Sequence, residues 1–123
     1  MNILDICTKD TADCVIVHPV TGEETDIVIT VYGMDSRKFR TISKEIARRR
    51  AKDREEGKEV NEIQEDSEML AELTVGWKNV EMGDGKEMEF SRENAVKLYF
   101  LCAPIRDQVN RFIARVGNFL AKA

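Results

Sequence analysis

The sequence has 123 residues, of which 42% are hydrophobic and 34% are charged. Two separate cores would each fall near the size at which folding becomes marginal, so residues 1–123 are predicted to form one domain. The net charge of −4 argues against a dedicated nucleic-acid binder. No apolar run approaches the roughly 20 residues that span a bilayer, and no secretory signal is recognisable. We therefore expect a cytosolic protein that contacts no membrane.

The residue types that most often carry metal or redox chemistry are few. The cysteines are Cys7, Cys14 and Cys102, and the single histidine is His18. An odd number of cysteines without a C-x-x-C pair is typical of reduced thiols, and the spacings match no standard zinc site. No titratable pair has the arrangement of a catalytic acid and base. We expect no enzymatic activity, no metal and no cofactor.

A β-hairpin is predicted near the N-terminus. Residues 14–18 and 25–32 are rich in β-branched side chains, and a turn containing Gly22 joins them. Alternate side chains of a strand lie on opposite faces of the sheet. One face of the second strand should meet the core and consists of Ile27, Ile29 and Val31. The other face is also largely apolar and is a candidate interface with a partner or a second copy: Val28, Thr30 and Tyr32. Residues 1–12 are predicted to be a flexible arm or a segment that docks late.

About four helices are predicted after the hairpin. Asp35 or Ser36 should cap the first helix, whose apolar stripe continues to Ile46. Residues 60–77 have the pattern of an acidic amphipathic helix, Ser91 should cap a third, and the last runs from Ile105 to Leu120. The predicted fold class is therefore α+β, with a hairpin packed against a mainly helical C-terminal half. The predicted core residues are Ile27, Ile29, Val31, Phe39, Ile42, Leu70, Leu73, Trp77, Leu98, Phe112, Ile113 and Val116.

A strongly charged segment, residues 48–59, interrupts the apolar pattern. It contains no apolar side chain larger than Ala51, so it is predicted to be a protruding helix end or a mobile loop. Its basic residues, Arg48, Arg49, Arg50, Lys52 and Arg54, allow two interpretations. They form a phosphate-binding patch, or they form a solvated face balanced by the acids of residues 60–72, which the neighbouring glutamates favour.

Four short motifs follow one another along the chain. They are Tyr32-Gly33-x-Asp35-Ser36-x-x-Phe39-Arg40, Leu73-Thr74-x-Gly76-Trp77, Phe90-Ser91-x-Glu93-Asn94-Ala95 and Ile105-x-x-Gln108-Val109. In this order and spacing the chain resembles the tail assembly chaperone family of long-tailed bacteriophages and prophages. The residues on which the resemblance chiefly depends are Tyr32, Gly33, Asp35, Ser36, Gly76, Trp77, Phe90, Ser91 and Asn94.

The resemblance implies a non-enzymatic, multimeric protein of the host bacterial cytoplasm. Such a chaperone binds the tape-measure protein during tail assembly, helps to recruit the tail-tube protein and is absent from the finished virion. Many genes of this family also produce a longer form by ribosomal frameshifting. Two alternatives remain open: a structural minor tail or head–tail connector protein that stays in the virion, and a nucleic-acid-binding regulator that uses the basic cluster.

Overall fold

The computed structural model describes residues 1–121 as an α+β fold in which helices cover one face of a small antiparallel sheet. The elements are β1 (Thr11–Val17), β2 (Glu24–Tyr32), α1 (Arg37–Glu55), α2 (Glu62–Glu72), β3 (Thr74–Lys78), α3 (Arg92–Leu101) and α4 (Ala103–Ala114). Short 3-10 turns lie at Ile3–Asp5 and Val116–Phe119. In this part of the chain, no helix is both long enough and apolar enough to cross a membrane.

The predicted hairpin is confirmed, but a third strand extends it. The strand order is β1-β2-β3, so β2 is central and has a partner on both edges. The sequence predicts a single helix over residues 60–77, whereas α2 ends at Glu72. The chain leaves the helix at Thr74, whose hydroxyl donates to the carbonyl of Leu70 at 2.7 Å. From Thr74 to Lys78 it pairs antiparallel with β2, from Val31 back to Val28. Trp77 remains directed at the core because it lies opposite Ile29.

Helix α1 begins and ends as its local chemistry dictates. The Ser36 hydroxyl accepts from the N–H of Phe39 at 3.1 Å, which satisfies one of the free donors of the first turn. At the other end Gly57 adopts a φ of +68°, a conformation that favours glycine. The last buried residue of α1 is Ile46, although the helix continues to Glu55. The charged segment is therefore largely a protruding helix end.

The C-terminal helix is shorter than predicted. Helix α4 ends at Ala114, and the following 3-10 turn leaves Val116 41% exposed, so its assignment to the core is wrong. Phe119 is buried instead. The sheet and helices meet in a core that contains most of the predicted residues, with Ile27, Phe39, Trp77 and Phe112 only partly buried at its edge. The core also contains residues that are absent from the predicted core list: Cys14, Ile16, Ile46, Ala71, Val80, Ala95, Tyr99, Ile105, Val109 and Phe119.

The predicted N-terminal arm has two parts. Residues 1–6 are exposed, whereas the following residues lie against the C-terminal segment. The N–H of Lys9 donates to the carbonyl of Phe119 at 2.7 Å, and the N–H of Ala121 donates to the carbonyl of Cys7 at 2.8 Å. Strand β1 already starts at Thr11. Docking thus begins at Cys7, and the flexibility of residues 1–6 stays a prediction.

Candidate functional site

The face of the sheet that points away from the core is the first candidate surface. We call it the outer face; it consists of Asp13, Val15, Val28, Thr30, Gly76 and Lys78, which lie opposite one another across the three strands. Val15 and Val28 are neighbours at its centre, and Val15 is 40% exposed. The Thr30 hydroxyl donates to the Asp13 carboxylate at 2.6 Å. The surface is a small apolar centre with polar groups around it.

The predicted set Val28, Thr30 and Tyr32 is only partly brought together on this face. Val28 and Thr30 are half-buried members of the outer face, as the alternation predicts. Tyr32 is also half-buried, but it packs against the core. Its N–H donates to the carbonyl of Leu73 at 2.8 Å, so its backbone is also engaged. Val15, which strand pairing alone places beside Val28, belongs to the surface instead.

One edge of the sheet is closed by a side chain. The Gln108 amide donates to the carbonyl of Val17 at 2.8 Å and accepts from its N–H at 2.9 Å, as a neighbouring strand would. Edge strands with free backbone groups pair readily with other chains. Because Gln108 occupies the backbone groups of Val17, pairing of another strand with this end of β1 is disfavoured. The signal in the sequence is Gln108 itself, a polar residue directly before the fully buried Val109.

The first group of motif residues has structural roles. A β-carbon built on Gly33 would lie 2.8 Å from the ring of Phe119, so the close approach of these segments requires glycine. Ser36 is buried, and its hydroxyl donates to the carbonyl of Gly33 at 2.7 Å. Asp35 is exposed and precedes the helix cap. These residues fix the turn between β2 and α1.

The second group of motif residues holds the loop between β3 and α3. The indole N–H of Trp77 donates to the carbonyl of Met88 at 2.7 Å, and its ring meets Phe90 edge-on at 5.0 Å. Ser91 caps α3 by accepting from the N–H of Asn94 at 3.1 Å. The Asn94 amide donates back to the carbonyl of Glu89 at 2.8 Å. These contacts give the motif residues structural roles in this loop.

The basic cluster of α1 divides between two surroundings. Arg49 and Arg50 face α2 and form ion pairs with Glu68 at 3.3 Å and Glu65 at 2.8 Å. This arrangement supports the balanced-face interpretation for these two residues. Arg48 and Lys52 lie on the side of α1 away from α2, whereas Arg54 lines a cleft between the two helices.

An open cleft of about 510 Å³ lies where the ends of α1 and α2 meet. Its charged lining residues are Arg50, Arg54, Lys58, Glu62, Glu65 and Asp66. Cations and acids are equally represented, so the cleft favours neither an anion nor a cation.

The thiols and the histidine do not converge. Cys7 is exposed, Cys102 is half-buried, and burial raises the pKa of the Cys14 thiol to about 11. Cys14 is therefore a protonated, weakly nucleophilic thiol at neutral pH. The Nδ1 atom of His18 accepts from the N–H groups of Val20 and Thr21, which fixes the hairpin turn. Among residues 1–121, no group of three or more His, Cys, Asp or Glu side chains is arranged to hold a metal ion.

The fold and its surfaces define a small α+β domain with a partly apolar sheet face and a charged, projecting helix. The chain belongs to the YdaY prophage protein family, whose family model matches residues 35–122, and it is therefore a phage or prophage protein. The match begins at the start of α1, so the β1–β2 hairpin lies outside it. No curated protein and no solved structure matches the chain.

Proposed function

We propose that this prophage protein is a non-enzymatic tail assembly chaperone that binds the tape-measure protein while the tail is built. Membership of a prophage family supports the phage context. The resemblance of the motifs to tail assembly chaperones supports the specific role. As such a chaperone it acts in the host bacterial cytoplasm, forms a homo-oligomer, contacts the tail-tube protein in a later step and leaves before the virion is complete.

The observation that supports the proposal most directly is the apolar centre on the outer face of the sheet. Val15 and Val28 form an apolar centre, and β3 places Gly76, which has no side chain, on the same face. A protein that holds long apolar helices needs an accessible apolar surface together with enough charge to stay dissolved. With this face and with 34% charged residues in the sequence as a whole, the chain meets both requirements.

Co-expression with the tape-measure protein of the same prophage tests the proposal. The tagged chain should recover the tape-measure protein, and Val28→Glu should abolish recovery because a charge would be buried against an apolar client. Val20→Glu is the matched control, since Val20 lies in the hairpin turn and is 86% exposed. Circular dichroism of both variants establishes that each retains its fold.

The alternatives make different predictions for the same materials. Recovery of the chain in purified virions would identify a structural tail or connector protein instead. A salt-dependent shift of duplex DNA at sub-micromolar protein, without capture of the tape-measure protein, would identify a nucleic-acid-binding regulator. Capture that is equally strong with Val28→Glu and the wild type would remove the outer face from the proposal.

A further inference from the structure

Helix α1 presents a row of basic side chains on the side away from the core. We call it the basic stripe; it consists of Arg37, Arg40, Lys44, Arg48 and Lys52, all of which are exposed. At 3.6 residues per turn these positions lie within roughly 120° of the helix circumference, opposite Ile42 and Ile46. With a rise of 1.5 Å per residue, the stripe is roughly 22 Å long.

The side chains of the stripe are not paired with acids. Within residues 1–121 its five side chains form neither an ion pair nor a side-chain hydrogen bond. The arginines on the inner side of α1 differ, since Arg49 and Arg50 are paired with acids of α2. Pairing with α2 thus neutralises the inner side of the helix and leaves the outer side positive.

This arrangement is unfavourable for α1 on its own. Arg40, Lys44, Arg48 and Lys52 follow one another at intervals of four residues, and like charges at this spacing repel each other. The helix also projects beyond its last buried residue, Ile46, so core packing does not account for the stripe. A partner that supplies negative charges in the same pattern would relieve the repulsion.

We propose that the basic stripe binds an acidic α-helical segment of a partner protein. The stripe follows a row of positions four residues apart, which is inclined to the axis of α1, and it matches a second helix that crosses α1 with Asp or Glu at every third or fourth position. Ala47 and Ala51 lie beside it, so a second helix can approach without meeting a bulky side chain. The surface is distinct from the outer face of the sheet, and either proposal can fail without the other.

A nucleic acid fits this surface less well. The molecule has a net charge of −4, so a long polyanion that extends past the stripe is repelled by the remainder of the surface, whereas a short acidic helix need not extend past the stripe. Glu45 lies at the margin of the stripe, and Glu55 follows Lys52 on the same side of the helix, so a polyanion that runs along α1 meets these two carboxylates. Recognition of single strands also uses aromatic platforms, and α1 contains a single aromatic residue, Phe39, which packs against the core.

A designed peptide supplies the test. The probe is an alanine-based helix with glutamates at the same spacing as the stripe, and the comparison peptide has the same composition with the glutamates spread around the helix. Fluorescence anisotropy of the labelled probe should show binding that weakens as salt is added. The patterned peptide should bind more tightly than the dispersed one, because only its charges can all face the stripe.

Two pairs of identical substitutions locate the surface. Lys44→Glu with Lys52→Glu reverses two charges of the stripe and should weaken binding by at least about 10-fold. Lys86→Glu with Lys97→Glu changes the net charge equally at exposed positions off the stripe and should alter binding by less than about 2-fold. Lys44→Gln with Lys52→Gln removes the two charges without adding repulsion, so its loss of peptide affinity should lie between those of the other two pairs. If the charge-reversed variant loses helix content, the affinity of this neutral variant replaces it as the test.

The proposal is overturned by any of four results. These are no binding of the patterned peptide at low salt, equal binding of both peptides, equal losses in the two lysine-to-glutamate pairs, or a stripe-dependent affinity for duplex DNA above that for the peptide. The last result would assign the stripe to nucleic acid.

Discussion

At the residue scale, the contact between Gly33 and Phe119 joins the start of α1 to the end of the chain. Phe119 is buried, and its ring occupies the position that a side chain of residue 33 would need. The same ring meets Phe112 edge-on at 5.4 Å. One residue without a side chain thus allows the C-terminal segment to close over the core.

Gly33→Ala should therefore destabilise the protein by about 1–3 kcal/mol, since a β-carbon 2.8 Å from the Phe119 ring forces the neighbouring segments apart. Urea unfolding followed by circular dichroism measures the change. Gly76→Ala is the matched control, because nothing lies within 4 Å of its added β-carbon. Equal stabilities of the two variants would show that the Phe119 contact adapts without cost.

Ionisation of the Cys14 thiol should lower the free energy of unfolding at alkaline pH. Burial raises its pKa in the folded chain from 9.0 to about 11, so the unfolded chain loses this proton first. The stabilising contribution is complete below pH 9 and is lost as the pH rises towards 11. The melting temperature should fall more steeply across this interval in the wild type than in Cys14→Ala, whatever their difference at pH 8. Parallel curves would contradict the assignment. Burial also raises the pKa of Tyr99, so Cys14→Ala should retain part of the decline.

At the element scale, α1 consists of an anchored half and a projecting half. Phe39, Ile42 and Ile46 pack against the core, whereas residues 47–55 bury nothing. Two ion pairs to α2 hold this second half, and exposed ion pairs contribute only about 0–1 kcal/mol each. We therefore predict that the end of the helix and residues 56–61 open at a lower free-energy cost than the other internal segments.

Limited trypsin digestion should cut first between Arg48 and Lys58, because a protease needs a locally unfolded segment. Two fragments should result, one containing the hairpin and the other α2 to α4. Mass spectrometry of the earliest products identifies the site. Initial cleavage at Arg111 or Arg115 would show instead that the C-terminal segment opens before the charged one.

The elements that are correctly predicted from the sequence are those determined by residues close together along the chain. The strands β1 and β2 and the caps Ser36 and Ser91 depend on neighbouring residues, so their patterns are visible in one sequence. Strand β3 depends on pairing with β2, and the apolar spacing through Leu73 to Trp77 also fits a helix. The end of α4 is determined in the same way by a distant contact, the packing of Phe119 against Gly33.

The candidate surfaces likewise depend partly on local sequence patterns and partly on long-range contacts. Alternation along β2 predicts that Val28 and Thr30 share a face, whereas their neighbour Val15 follows from strand pairing. The basic cluster is visible in the sequence as a block. Only the position of α2 separates Arg49 and Arg50, which are paired, from the stripe, which is not.

At the scale of the whole molecule, the two surfaces differ in what they can bind. The outer face offers an apolar centre, and the basic stripe offers charge at regular spacing. A second copy fits the outer face because Asp13 on β1 and Lys78 on β3 lie on opposite sides of Val28. If two outer faces pack against each other through a two-fold axis parallel to β2, β1 of one copy lies over β3 of the other. Each Asp13 then lies diagonally across from Lys78 of the other copy.

In the absence of the tape-measure protein, we therefore expect the chain to self-associate through the outer face and to exceed the 14.1 kDa of one chain in solution, so that client and second copy compete for this face. Val28→Glu should give folded monomers, since each interface would otherwise bury two new carboxylates against the valines. Val20→Glu should keep the mass of the wild type, because its side chain lies in the exposed turn. Light scattering gives the mass, and circular dichroism distinguishes a dissociated variant from an unfolded one.

Each possible outcome for Val28→Glu assigns the outer face differently. A folded monomer means that a second copy covers the face, and an unfolded chain means that the face belongs to the core of one subunit. A variant that keeps both its mass and its fold excludes this face as the contact between copies. The contact would then be sought on the helices, where Phe100 and Leu101 at the end of α3 are 43% and 61% exposed.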